Sequence, residues 1–98
     1  MSAFVISEVR IVDAEAASQY MALAEKSIVR HGGRYIVRAA DPDVPEGLWD
    51  TGRRVVIVEF PTMDQLQSWY ASDDYAEALA IGKTALDRRL LFVPGLDS

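Results

Sequence analysis

Two charged residues in predicted neighbouring strands could bind an anion or move a proton. Glu59 lies near the end of the strand-like run RRVVIVEFP, and Arg38 lies in the run RYIVRAA. A carboxylate kept away from water can act as a general base or orient a ligand, because burial raises its pKa. The planar fork of Arg38 could hold a carboxylate or an enolate. Alternatively, Glu59 forms a structural ion pair with Arg38 or Arg34, in which case an arginine holds it in its charged form.

Several aromatic side chains occur where a ligand could meet them. Trp49 lies in a loop rich in Pro, Asp and Gly, where it either caps a ligand cleft or docks on a partner subunit. Trp69, Tyr70 and Tyr75 surround a break between two helical pieces, and we expect two of them in the core and one beside a cleft. Tyr20 lies on an apolar helical stripe, so we expect it in the core with its hydroxyl at the edge of a pocket. The predicted ligand-binding residues are Arg34, Trp49, Tyr20, Trp69 and Tyr75.

The residue inventory excludes several kinds of site. The chain has no cysteine and a single histidine, His31, so a thiolate nucleophile, a zinc-thiolate site and a two-histidine metal site are excluded. His31 falls at a predicted helix C-terminus, where an imidazolium favours the helix dipole. Ser7 and Ser72 belong to no nucleophile motif, and no glycine pattern matches a dinucleotide or phosphate loop. We therefore predict no metal and no cofactor.

Length and charge restrict the class of protein. The 98 residues suffice for one domain, spanning 1–98, and half of them are hydrophobic. A net charge of −5 argues against nucleic acid as a partner, because binding to phosphates depends on Lys and Arg. The first residues, MSAFVISEVRIVD, alternate apolar and polar side chains, which fits neither a signal peptide nor a membrane span. We expect a cytoplasmic location.

Hydrophobic periodicity predicts the elements that position these residues. They are a strand from Phe4 to Ile11, a helix from Ala14 to His31, strands from Arg34 to Ala40 and from Arg53 to Phe60, a short helix from Met63 to Ala71, a helix starting at Ser72 and ending near Asp87, and a strand from Arg89 to Val93. This order is the ferredoxin-like βαββαβ plan of the α+β class, with a four-stranded antiparallel sheet and both helical layers on one face.

Start and stop signals support these boundaries. Asp13 and Ser72 are suited to cap helix N-termini, and Thr62 with Gln65 fits a capping box. Gly32 can take the left-handed conformation that ends a helix.

Strand parity leaves one face of the sheet without cover. The face away from the helices collects Phe4, Ile6, Glu8, Arg10, Arg34, Ile36, Arg38, Val55, Ile57, Glu59, Arg89, Leu91 and Val93. A contiguous apolar surface of this kind usually marks an interface. A second copy stacked face to face would form a homodimer, a dimeric α+β barrel.

Four segments resemble the domain of unknown function family 1330, whose members are small relatives of the dimeric α+β-barrel superfamily. The segments are GGRYIVRAA, EGLW, RRVVIVEFP and WYASDDYAEA. The resemblance implies a ferredoxin-like protomer, a homodimer and a cleft between sheet and helices. The sequence departs from it at Ala39 and Ala40, where many relatives carry glycine.

Two functions fit these expectations. In the first, the protein binds or transforms a small acidic or aromatic metabolite without a cofactor, in an isomerase-like or monooxygenase-like way, with Glu59 and Arg38 at the site. In the second, it is a non-catalytic dimeric ligand-binding or accessory module, whose buried ions set the register between subunits. The sequence leaves open whether the protein is an enzyme.

Overall fold

The computed structural model describes residues 2–96 and has the predicted α+β architecture. The elements are β1 Ala3–Ile11, α1 Ala14–Arg30, β2 Arg34–Ala40, β3 Arg54–Phe60, α2 Met63–Tyr70, α3 Asp73–Ala85 and β4 Leu86–Pro94. The four strands form one antiparallel sheet in the order β2-β3-β1-β4. This is the ferredoxin-like plan, and the short α2 precedes α3 as predicted.

The core lies between the helices and the face of the sheet that carries Val5, Val58 and Phe60. It is completed from the helical side by Ala24, Ile28, Leu66, Trp69, Tyr75 and Ala78, all buried. Each packed strand alternates buried and more exposed residues, as expected of a sheet with one covered face. No helix within residues 2–96 has the length and apolar character needed to cross a membrane.

Side-chain caps hold the helix starts as the sequence predicts. The carboxylate of Asp13 accepts from the Ala16 amide at 3.1 Å, and the hydroxyl of Thr62 accepts from the Gln65 amide at 3.1 Å. The Ser72 hydroxyl accepts from the Tyr75 amide at 3.2 Å, which starts α3 one turn after α2 ends. These bonds satisfy amides that lack a partner within the helix.

The boundary between α3 and β4 differs from the predicted one. The helix ends at Ala85 instead of near Asp87, and the strand begins at Leu86 instead of Arg89. The Ala85 carbonyl accepts from the amides of Val12 and Asp13, and Leu86 pairs with Ile11. Pairing along the whole of β1 therefore overrides the helical pattern, and Arg88 becomes a strand residue.

Two register shifts in β2 displace Arg38 from the open face. Pairing with β3 shifts between Tyr35 and Val37 and again between Val37 and Ala40. An extra residue in a strand reverses the side to which the following side chains point. Arg38 consequently stacks on the ring of Tyr35 and forms an ion pair with Glu25 of α1. Its predicted place on the uncovered face was wrong.

Candidate functional site

A cavity of about 280 Å³ lies between the sheet and the helices. Its walls are mostly aliphatic and aromatic, as in many small-molecule sites. The lining comprises Val5, Ser7, Val9, Arg10, Ile11, Tyr20, Met21, Ile28, Tyr35, Ala39, Gly52, Arg54, Val56, Val58, Trp69, Leu86, Arg88 and Leu90.

The two ends of this cavity differ in exposure. Val5, Val58 and Trp69 are buried and form the deep end, whereas Ile11 and Met21 are exposed and form the mouth. The Trp69 wall is fixed because its indole N–H donates to the Ser27 hydroxyl at 2.9 Å. A ligand therefore enters past Ile11 and Met21 and meets a progressively drier, more apolar interior.

A cluster of Arg88, Tyr20 and Tyr75 supplies the main polar groups of this site. Arg88 Nη1 donates to the Tyr20 oxygen at 2.6 Å, and its Nη2 donates to the Tyr75 oxygen at 2.9 Å. The two phenol oxygens are 2.8 Å apart and share one hydrogen bond. The guanidinium also lies over the Tyr20 ring, 4.8 Å from its centroid. β4, α1 and α3 each contribute one member.

The number of hydroxyl hydrogens decides which tyrosine donates in the hydrogen bond between Tyr20 and Tyr75. Two phenols carry two hydroxyl hydrogens, and the bond between them uses one. Tyr75 is fully buried and does not line the cavity, whereas Tyr20 does. If Tyr20 donated to Tyr75, the remaining hydrogen would sit in the core without an acceptor, which is unfavourable. Tyr75 therefore donates to Tyr20, and the Tyr20 hydroxyl is free to donate into the cavity.

Tyr75 and Tyr35 stay protonated at neutral pH. Burial raises the pKa of Tyr75 well above its usual value, an effect that the nearby Tyr20 reinforces. Burial likewise raises the pKa of Tyr35 to about 12. These phenols therefore act as hydrogen-bond donors and not as bases.

Arg88 has no carboxylate partner within residues 2–96. Arginine remains protonated in proteins, so a positive charge sits at the cavity wall beside two neutral phenols. Isolating such a charge from water is unfavourable unless an opposite charge compensates it. The site is therefore suited to an anion.

The helix α3 approaches this cluster closely at Gly82. A Cβ at that position would lie 3.1 Å from ring carbons of Tyr20 and 3.4 Å from Nη2 of Arg88. Glycine thus leaves the space that lets the guanidinium and both phenols meet.

The predicted ligand-binding residues lie in three regions of the molecule, one of which is a separate depression beside Trp49. Tyr20 and Trp69 line the cavity, and Tyr75 supports it from behind. Glu59 and Arg34 lie on the other face of the sheet, where Arg34 Nη2 is 2.7 Å from the carboxylate. Hydrogen bonds from Ser2 and Arg34 hold the pKa of the Glu59 carboxyl below its usual range. Glu59 is therefore charged and distant from the cavity lining.

The structure does not bring Glu59 and Arg38 together. Their partners are Arg34 and Glu25 respectively, so the pair predicted to share a site belongs to two separate ion pairs. A catalytic role for either stays a prediction.

Trp49 lies outside the cavity. It lines an open depression beside Leu48, Arg53 and Arg89, and its buried indole N–H has no hydrogen-bond partner within residues 2–96. Docking on a partner subunit stays a prediction for this residue. His31, by contrast, ends α1 with Nδ1 donating to the Ser27 carbonyl at 2.9 Å, in keeping with a structural role.

Arg88 is the site residue that the sequence reasoning missed. The sequence predicts the end of this helix near Asp87 and the start of the last strand at Arg89, so Arg88 fell in the predicted connection between them. The available signal was alternation, since Leu86, Arg88, Leu90 and Phe92 form one face of a strand with a single charge. A lone arginine in an apolar strand face indicates a site more strongly than charges on a mixed face.

Comparison with known proteins places the chain in a family. The family model described as domain of unknown function (DUF1330) matches residues 2–96. The chain belongs to this family. Comparison of this DUF1330 protein with functionally curated proteins finds no match.

Solved structures share the fold of this DUF1330 protein. A protein of unknown function from Rhodopseudomonas palustris has a TM-score of 0.80 at 21% identity, over 97% of this chain and 82% of that one. A dimeric ferredoxin-like protein of unknown function from Thermobifida fusca YX has a TM-score of 0.66 at 19% identity, over 97% and 92%. SnoaB, a cofactor-independent oxygenase from Streptomyces nogalater, has a TM-score of 0.69 at 8% identity, over 99% and 95%. At these identities the likeness concerns the fold alone.

Proposed function

We propose that this DUF1330 protein binds a small, largely apolar organic acid in the cavity between its sheet and its helices. The acidic group accepts from Arg88 and from the hydroxyl of Tyr20, and the apolar body lies against Val5, Val58 and Trp69. The observation that carries the proposal is the guanidinium of Arg88, which lines an apolar cavity, bonds to two phenols and has no carboxylate partner among residues 2–96.

The lining favours binding over proton transfer. No Asp, Glu or His occurs among the lining residues within 2–96, and the phenol of Tyr35 is held protonated. A general base must reach the proton it removes, and none is in reach here. Of the two functions that the sequence leaves open, the ligand-binding module is therefore the better supported. The oxygenase activity named for SnoaB supports no reaction in this chain, since only the fold is shared.

Hydrocinnamate, a phenyl ring joined by a short chain to one carboxylate, is a suitable probe. We expect it to bind the wild-type protein and to raise its melting temperature, because a ligand selective for the folded state stabilises it. Tyr20→Phe should weaken binding about tenfold and Arg88→Gln about a hundredfold, as expected for hydrogen bonds to a charged group. Isothermal titration calorimetry measures both dissociation constants.

Two matched controls separate binding from stability. Tyr70→Phe removes a phenol hydroxyl whose ring packs on Tyr75, but no hydrogen bond within residues 2–96 joins that hydroxyl to Arg88, Tyr20 or Tyr75. Arg30→Gln removes a charge from an exposed pair with Asp74. Both should bind hydrocinnamate like the wild type. The proposal fails if the wild type does not bind, or if Tyr20→Phe and Arg88→Gln change only the melting temperature.

The open face of the sheet supports a second proposal, that two copies associate through it. Ile57, Ile6 and Leu91 pair across β3, β1 and β4 and form an apolar row on this face. Leu91 and Val93 are 40% and 37% exposed. A ferredoxin-like neighbour, the Thermobifida fusca protein, is dimeric. In such a homodimer the Glu8–Arg89 and Arg34–Glu59 pairs would border the buried row and set its register.

A further inference from the structure

A second arginine lies in the same row of the sheet as Arg88. Val9 of β1 pairs with Arg54 on one side and with Arg88 on the other, so the three side chains point to the same face. Two strand spacings separate the arginine backbones, roughly 10 Å. Since an arginine side chain extends several ångströms, the two guanidiniums can reach neighbouring atoms of one ligand.

These two arginines differ from the others within residues 2–96. Every other arginine there has a carboxylate within ion-pair distance, namely Arg10, Arg30, Arg34, Arg38, Arg53 and Arg89. The chain has 15 acidic residues against 10 basic ones, so carboxylates are not scarce. The arginines without one both line the cavity.

An exposed arginine needs no ion-pair partner, so the lack of one at Arg54 would not by itself indicate a site. Its place in the same row as Arg88 is what makes it a candidate ligand contact. Two like charges in one row of the sheet, with only β1 between their strands, repel each other, and an anion between them removes that repulsion. The row of Val9 is next to the mouth, since Ile11 follows it toward solvent and Ser7 and Val5 follow it inward. Both arginines therefore start from strand positions nearer the mouth than Val5 and Val58. Arg54 is exposed there, whereas the guanidinium of Arg88 is held inward by Tyr20 and Tyr75.

We infer that the ligand is an amphipathic diacid whose two acidic groups lie at the same end of the molecule, an inference that rests on the anion-binding function proposed above. One carboxylate contacts Arg88 and Tyr20, and the second contacts Arg54 at the mouth. The apolar remainder fills the deep end beside Trp69. A diacid with its acidic groups at opposite ends does not fit, because its second charge would lie among Val5, Val58 and Ile28 without a partner.

The matched probes are hydrocinnamate and benzylmalonate, which share the phenyl body but carry one and two carboxylates. Benzylmalonate should bind the wild type roughly fivefold more tightly, as expected for one partly exposed ion pair. Arg54→Gln should abolish this preference, because it weakens the binding of benzylmalonate more than that of hydrocinnamate. Arg30→Gln, the charge-matched control, should retain the preference. Calorimetry at low and high salt should show the preference shrinking as salt rises.

Benzoate and terephthalate test the placement of the two charges. Terephthalate carries its second carboxylate at the far end of the ring and should bind more weakly than benzoate. If it binds more tightly, or if Arg54→Gln keeps the preference for benzylmalonate, the diacid inference is wrong. Equal binding of hydrocinnamate and benzylmalonate overturns it too, while leaving the proposed function standing. Failure of all four acids to bind overturns the proposed function itself.

Discussion

At the scale of single residues, the site depends on three polar groups that meet in an apolar surrounding. Tyr75 donates to Tyr20, Arg88 donates to both, and Tyr20 is left to donate to a ligand. Each hydrogen bond strengthens the next in a medium of low dielectric. Gly82 eases this meeting, because a Cβ there would lie 3.1 Å from ring carbons of Tyr20, closer than ordinary contact.

Replacing Gly82 by alanine tests this account. We expect hydrocinnamate binding to weaken roughly fivefold, because the added methyl group displaces the Tyr20 ring by a fraction of an ångström. The free energy of unfolding should change by less than about 1 kcal/mol, since the better helix propensity of alanine offsets the crowding. Calorimetry and urea denaturation measure the two effects. Thr84→Ala changes an exposed residue of the same helix and should leave hydrocinnamate binding unaltered. If Gly82→Ala also binds hydrocinnamate like the wild type, the packing argument is wrong.

At the scale of elements, the irregular strand β2 decides which charges face the helices. Its register shifts direct Arg38 to α1 and place Ala39 at a φ of 55°. That left-handed conformation is unfavourable for a residue with a Cβ by about 1 kcal/mol. Glycine adopts the same conformation without this cost.

Ala39→Gly should therefore stabilise the protein. We expect the free energy of unfolding to rise by about 1 kcal/mol or slightly less, because glycine also gains freedom in the unfolded chain. Chemical denaturation measures the change. The neighbouring Ala40→Gly supplies the contrast, since Ala40 is not in the left-handed region and should lose about 0.5 to 1 kcal/mol. Equal effects of the two substitutions would show that the strain at Ala39 is not significant.

At the scale of the whole molecule, the two faces of the sheet carry different side chains and adjoin different surroundings. The face toward the helices encloses the cavity and carries Arg54 and Arg88, whereas the open face carries the apolar row of Ile57, Ile6 and Leu91. Because side chains alternate along each strand, substitutions can change one face without changing the other.

Leu91→Arg places a charge in the apolar row and should dissociate the proposed dimer. Two such arginines would be buried without partners at a twofold interface, which is strongly unfavourable. Sedimentation velocity over a range of concentrations should show a dimer for the wild type and a monomer for the variant. Val29→Arg, on the exposed side of α1, should remain dimeric. A monomeric wild type would refute the association.

Local patterns in the sequence determined the order of elements and most of their limits. Helix limits depend on contacts within a few residues, so they can be predicted from local sequence. The caps at Asp13, Thr62 and Ser72 and the left-handed Gly32 are of this kind. Alternation in β1 and β3 likewise distinguished the covered face from the open one. The ferredoxin-like plan followed from these signals, whereas which of Trp69, Tyr70 and Tyr75 would be buried did not.

Only the tertiary structure decided which charges share a site. The register shifts of β2 arise from its pairing with β3, and the early start of β4 arises from its pairing with β1. Because both depend on distant strands, no local sequence motif marks either of them. The first moved Arg38 away from Glu59, and the second brought Arg88 to the two phenols. A shift of one residue reverses the face of a strand, and for that reason long-range pairing, not residue type, selected the groups that line the cavity.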